Sequence, residues 1–157
     1  MDINKSIDNK IGTFQAMIAS GPVIIQKRDG IEKVLLVKHG DKPLNELKWK
    51  FCGGKILANM SLEENAIREA EEEIGVTVKI IKPLKPMVIW NEIPETGSSD
   101  PQAIVLIHYL AAIDSEPIAG AQTLAMEWFD INNLPLDCST NIKPAIEEYL
   151  GIKKGAK

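Results

Sequence analysis

A double glycine at Gly53-Gly54, a serine and a glutamate three residues apart at Ser61 and Glu64, and a further glycine at Gly75 bracket one stretch of the chain. Ser-x-x-Glu is the signature of a capping box, in which each side chain satisfies the other residue's backbone N–H at a helix start. A glycine just past the last apolar-periodic residue supplies the left-handed stop. The spacing predicts a helix from Leu62 to Ile74. At about 100° per residue, Leu62, Ala66, Ile67, Ala70 and Ile74 fall on one arc, a face that has to be covered. Strands before and after this helix, with another helix at the end, imply an α/β chain: a mixed β-sheet covered by helices in an α/β/α sandwich.

The strands are read from apolar runs. Thr13 to Gln26 is dense in Ile and Val with Gly21-Pro22 in its middle, which predicts two short strands or one strand with a break. Asp29-Gly30 then marks a hairpin turn, and Lys33 to Lys38 is the returning strand. His39–Leu47 reads as a loop, and Lys48 to Lys55 as a short apolar piece ending in the double glycine. After the helix come Val76–Ile81, Met87–Trp90 and Ala103–Ile113. Asn91–Gln102 is a loop by its Pro, Gly and Ser content. A strand at Ala125–Phe129, a turn at Asn132–Pro135 and a helix near Lys143–Leu150 complete the chain, with Pro144 in that helix's first turn and Gly151 beyond its end.

Bulk properties narrow the function classes. With 157 residues, 45% hydrophobic and 25% charged, residues 1–157 are expected to form a single domain with one core. Cys52 and Cys138 follow no zinc or redox spacing, and the N-terminus has neither the basic start and apolar run of a signal peptide nor the character of a transit peptide, so a cytoplasmic location is expected. The longest apolar stretch, Ala103 to Ile113, is interrupted by His108 and falls short of the about 20 residues a bilayer asks for. No membrane association is expected. A net charge of −4 gives no footprint for duplex nucleic acid. Small anionic ligands remain compatible with that charge if cations bridge them.

The chemistry lies on the first helix. Glu69, Glu72 and Glu73 stand at i, i+3 and i+4 and stack three carboxylates on one flank, an arrangement that repels itself unless something positive compensates. Arg68 is within i+4 reach of Glu72 but cannot neutralise three carboxylates. Hard divalent cations prefer clustered carboxylate oxygens. The plainer alternative is a solvated acidic helix face, but Glu73 falls beside the apolar arc, where an unpaired charge is costly. Gly53-Gly54, just before the helix, lets the backbone approach a ligand and offers carbonyl oxygens to a cation.

These residues resemble the Nudix box, written G-x5-E-x7-R-E-U-x-E-E-x-G-U with U an aliphatic residue. Here the pattern reads Gly54, five residues, Met60, seven residues, then Arg68-Glu69-Ala70-Glu71-Glu72-Glu73-Ile74-Gly75-Val76. Trp49, Phe51 and Gly53-Gly54-Lys55 also resemble the family's W-x-F-P-G-G-K lead-in, with Cys52 in place of proline. Met60 is the departure that matters, since the family has glutamate there.

The resemblance implies a Nudix fold and a metal-dependent pyrophosphohydrolase that cleaves a nucleoside diphosphate linked to another moiety. Glu69, Glu72 and Glu73 would bind Mg²⁺ or Mn²⁺ with a carbonyl of Gly53 or Gly54, Glu69 and Glu72 would be catalytic, and Arg68 would orient them. The partner implied is a small-molecule nucleotide, and a homodimer is allowed. Lys38, His39 and Lys55 are candidates to meet phosphates, against readings as surface cations that weigh more for Lys38 and His39, and Trp90 is a candidate to stack on a base, against a core tryptophan. Two alternatives stay open: hydrolysis of nucleoside triphosphates, and a catalytically weak nucleotide sensor, which Met60 favours.

Overall fold

A computed structural model of the chain describes residues 15–90 and 103–155. Strand β1 (Ala16–Arg28) runs without interruption through Gly21-Pro22 and turns at Asp29-Gly30 into β2 (Ile31–Lys38). Both turn residues have positive φ, 54° and 79°, as a two-residue hairpin with right-handed strand twist demands. The two-residue strand β3 (Gly54–Lys55) precedes helix α1 (Leu62–Ile74), and β4 (Lys79–Pro83), β5 (Met87–Trp90), β6 (Ala103–Ala112) and β7 (Ala125–Asp130) lead to helix α2 (Ile142–Gly155). The expected loop at Asn91–Gln102 lies outside the described residues.

The sheet is mixed, in the order β4-β6-β1-β2-β7. β1 and β6 are parallel; the other pairs are antiparallel. β4 and β5 share one edge of β6, pairing with its C-terminal and N-terminal ends in turn. On its other side β1 pairs with β2 through Ile25–Arg28 and with β3 through Ala19 and Ser20. Between those ladders, residues 21–24 pair with β6 alone. Pro22, which cannot donate to a ladder, sits in that one-sided stretch, so the strand continues where a break was one reading of the sequence.

Alternation along the strands divides the core. Val23, Val34, Leu36 and Leu110 face one way and pack with Ile142, Ala145 and Ile146 of α2. Their neighbours Ile24, Leu35, Val37 and Ala111 face the other way and pack with Ala70 and Ile74 of α1. One helix on each face of a mixed sheet is the expected sandwich. Among the described residues no helix is long and apolar enough to cross a membrane.

Helix α1 begins and ends where the local signals put it. Ser61 accepts from the Glu64 N–H while Glu64 accepts from the Ser61 N–H, and Gly75 closes the helix with φ 64° and ψ 24°. Helix α2 instead continues past Gly151, which was expected to end it, to Gly155. A glycine inside a helix costs about 1 kcal/mol, and here Ile152 packs on the core while Lys153 reaches Glu32 on β2. β4 also starts later than the apolar run at Val76 predicted. Val76 and Val78 are buried against α1's core as an unpaired lead-in.

The turn before α1 lies directly on β1. A Cβ added at Gly21 would stand 1.9 Å from the Cys52 carbonyl oxygen, and one at Gly53, whose φ is 152°, would stand 2.8 Å from the Ser20 carbonyl oxygen. Gly21→Ala is expected to destabilise the chain by on the order of 3 kcal/mol, measured by urea unfolding, because the obstructing atoms are backbone. A change within about 0.5 kcal/mol would show that this contact is not close in solution.

His108 on β6 is buried and stands edge-on to Phe51, ring centroids 4.9 Å apart. Burial lowers its pKa from 6.5 to about 4. As pH falls the unfolded chain takes up this proton first, so stability is full above about pH 6.5 and is lost through the window down to about 4, roughly 3 kcal/mol in all. His108→Leu should flatten that slope in urea unfolding between pH 7 and 4.5. An unchanged slope would assign it to another group.

Candidate active site

Helix α1 rests its alanines on β1: Ala66 and Ala70 are fully buried, and such small side chains let helix and strand come close. That approach carries Glu69 and Glu73 inward. They are 8% and 9% exposed, whereas the Glu72 side chain keeps 60% of its surface in solvent. The three carboxylates of the sequence motif therefore separate into a buried pair and an outer partner. Among the described residues no three acidic, histidine or cysteine side chains converge as a ready metal site.

The buried pair lies against the glycine turn. The Gly53 N–H donates to Glu73 Oε2 at 3.4 Å. A Cβ at Gly54 would come within 2.5 Å of Glu69 Oε1, so a side chain there would displace that carboxylate from its place against the turn. Burial, reinforced by the hydrogen bond and charge of Glu69, pushes the Glu73 carboxyl well above the usual carboxylate range. Without a cation this favours a proton on Glu73 near neutral pH. Carboxylate oxygens facing each other under a backbone turn suit a hard divalent cation, which can take that proton's place.

Arg68 is held from three sides. Its Nη1 donates to Glu72 Oε2 at 2.9 Å and its Nη2 to Glu69 Oε1 at 2.6 Å and Asn65 Oδ1 at 2.7 Å. Among the described residues its buried Nε has no partner. The far end of the helix is tied down by the loop before β7: the N–H groups of Ile118 and Gly120 donate to the carbonyls of Ile74 and Glu73 at 2.9 Å each, and Thr123 Oγ1 adds 2.8 Å to Glu73.

Beside the pair lies a cavity of about 600 Å³ whose wall includes Gly53, Gly54, His39 and Lys50. Two cross-strand rows, Ile89–Ile104–Met17 and Met87–Leu106–Ala19, cross β5, β6 and β1, and all but Met87 line it. Lys42, Lys48 and Lys55 supply further cations. His39 Nε2 stands 3.7 Å from Glu73 Oε1. Burial and the Lys50 charge lower the His39 pKa, so at neutral pH this is a contact of an uncharged imidazole rather than an ion pair. Burial also lowers Lys50, against the pull of Glu73, and its ammonium donates to the His39 carbonyl at 3.3 Å.

Two of the expected substrate contacts are placed elsewhere. Lys38 is buried, donates to Asp137 at 2.9 Å and lies 5.0 Å from the Trp49 ring, which leaves it a structural cation. Trp90 is absent from the cavity wall because alternation along β5 turns it to the face opposite Ile89. Lys55 does line the cavity. Sequence reasoning passed over Lys50 and Asn65 and leaned toward a surface role for His39. Asn65, on the margin of the helix's apolar arc and in step with Arg68 and Glu69, carried a signal that could have been read.

A model of the NUDIX domain matches residues 18–149. The chain belongs to the Nudix family. With the family comes hydrolysis of a phosphorus anhydride bond, so the chain is a Nudix pyrophosphohydrolase. It is similar to the ADP-ribose pyrophosphatase of Methanocaldococcus jannaschii, 29% identical over 133 residues that cover 81% of this chain and 73% of that protein. It also resembles the crystal structure of a MutT NUDIX hydrolase from Burkholderia pseudomallei, with TM-score 0.68, 26% identity and coverage of 85% and 98% of the two chains. The MutT protein from Methanosarcina mazei Go1 shares the fold with TM-score 0.71 at 18% identity, covering 90% of this chain and 97% of that one.

Glu73→Gln is expected to leave the metal-free Nudix chain at least as stable as the parent, because it removes a buried carboxyl whose ionisation burial and Glu69 oppose. Glu72→Gln, on an exposed partner of Arg68, should change stability by only about 0.5 kcal/mol. Thermal melts in chelator check both. A large loss of stability in Glu73→Gln would mean that the buried pair is not strained.

Proposed function

We propose that the chain hydrolyses a nucleoside diphosphate linked to another moiety, with ADP-ribose the leading substrate, and that it uses Mg²⁺ or Mn²⁺. The observation that carries this reading is the buried Glu69–Glu73 pair beside a cavity with a cationic wall and an apolar floor. Glu69 and Glu73, with the Gly53 or Gly54 carbonyl, would hold the metal, and Glu72, held by Arg68 at the outer side, would complete the set. What the cation supplies there is neutralisation of the diphosphate charge and a nucleophile from water near neutral pH.

The chain's own residues do the rest. Lys50, Lys42, Lys48 and Lys55 attract and orient the diphosphate oxygens, and charge spread over phosphoryl oxygens in the transition state rewards such positioning. His39, uncharged and in contact with Glu73, is placed to hold or pass a proton at that carboxyl. Arg68 keeps Glu69 and Glu72 in register. The rows over β1, β5 and β6 receive the less polar end of the substrate. Water adds to one phosphorus, the bridging P–O bond breaks, and ADP-ribose yields AMP and ribose 5-phosphate. The name of the archaeal relative supports ADP-ribose over other diphosphates.

The test is a panel of ADP-ribose, a dinucleoside polyphosphate and the nucleoside triphosphates with Mg²⁺, products resolved by chromatography. Conversion of triphosphates to monophosphate and pyrophosphate with ADP-ribose left intact would overturn the substrate assignment. Lys50→Met should raise KM for the best substrate by about tenfold, the value of one charge-assisted hydrogen bond. Unchanged KM would remove Lys50 from the diphosphate site.

A further inference from the structure

Asn65 is wholly buried and belongs to none of the fixed positions of the motif. A buried amide is costly unless its donors and acceptor are used, and here both ends are engaged. Its Nδ2 donates to Ser20 Oγ at 2.9 Å and to the Gly54 carbonyl at 3.0 Å. Its Oδ1 accepts from Arg68 Nη2 at 2.7 Å. Ser20, 1% exposed, donates its hydroxyl to the Leu62 carbonyl at 2.8 Å, one of the bonds that fixes the first turn of α1 to β1.

One amide thus ties together β1, the glycine turn and the arginine that grips Glu69. We propose that Asn65 is the positioning residue of the carboxylate site: it fixes the Gly54 carbonyl on one side and the Arg68 guanidinium on the other, and so sets where Glu69 stands relative to the turn. The inference rests on the hydrolase reading above. Its ground is geometric. Among the described residues Arg68 has one neutral partner, Asn65. Without it the guanidinium is held by carboxylates alone, which move with any cation that they bind. With it, Arg68 has an anchor that no cation competes for. Groups that orient metal ligands without touching the metal commonly govern affinity and rate by about 10–100-fold.

The test uses the full chain as wild type, Asn65→Ala, Ser20→Ala and the double variant. Mn²⁺ affinity is measured by calorimetry without substrate, turnover by ADP-ribose hydrolysis in Mg²⁺, and folding by melts in chelator. Asn65→Ala should raise the Mn²⁺ dissociation constant and lower kcat by about tenfold or more, with KM for ADP-ribose within about twofold. Ser20→Ala should move both in the same direction by less, and the double variant should be no worse than Asn65→Ala, as expected of one network. A folded Asn65→Ala chain with wild-type Mn²⁺ affinity and kcat overturns the inference. If Asn65→Ala does not fold, wild-type values in Ser20→Ala overturn it. A wild-type chain that neither binds Mn²⁺ nor hydrolyses ADP-ribose removes the hydrolase reading, and this inference with it.

Discussion

Two carboxyl groups kept out of water, side by side against a backbone turn, set the terms for everything around them. Left alone, Glu73 would move away from Glu69 or keep its proton, because burial and the neighbouring carboxylate both oppose its ionisation. The fold prevents the first. Ala66 and Ala70 bring α1 close to β1, and Gly21 and Gly53 let the turn sit on the same strand without a side chain between them. The loop before β7 grips the other end of the helix. Local instability of this kind survives only where the surroundings over-determine it.

The electrostatics of the site are local and opposite to those of the whole chain. Net charge is −4, yet Lys42, Lys48 and Lys50 from the segment between β2 and β3, with Lys55 of β3, gather at one cavity. Their concentration in that segment separates the two tasks of the site. A helix braced by the sheet holds the carboxylates with little freedom, while an irregular stretch of chain carries the cations. The cations of the loop can then change without disturbing the acidic pair.

Much of this could be read in advance, for identifiable reasons. The bounds of α1 follow from Ser61, Glu64 and Gly75, signals that act within one turn of chain and owe nothing to tertiary context. The Asp29-Gly30 hairpin and β5 are legible for the same reason. Where distant contacts decide, local reading fails: α2 passes through Gly151 because Ile152 and Lys153 find partners on the sheet. Val76 and Val78 look like strand residues because apolar periodicity reports burial rather than pairing. At the site, the motif located Glu69, Glu72, Glu73 and Arg68. It could not say that Glu72 faces outward, that Asp137 on a distant loop claims Lys38, or that His39 and Lys50 join the cavity. Those facts depend on long-range packing.

The three hydrogen bonds from the 118–123 loop to the end of α1 place a condition on when the site exists during synthesis. Every residue of the motif has left the ribosome some forty residues before Ile118, Gly120 and Thr123 follow. Until then the final carbonyls of α1 lack these partners, and β1 lacks the parallel strand β6 that flanks it. A nascent chain carries the whole motif in sequence well before it can hold the geometry. The helix alone sets Glu69 and Glu73 side by side, but their burial comes late, when most of the hydrophobic surface that supports it is available.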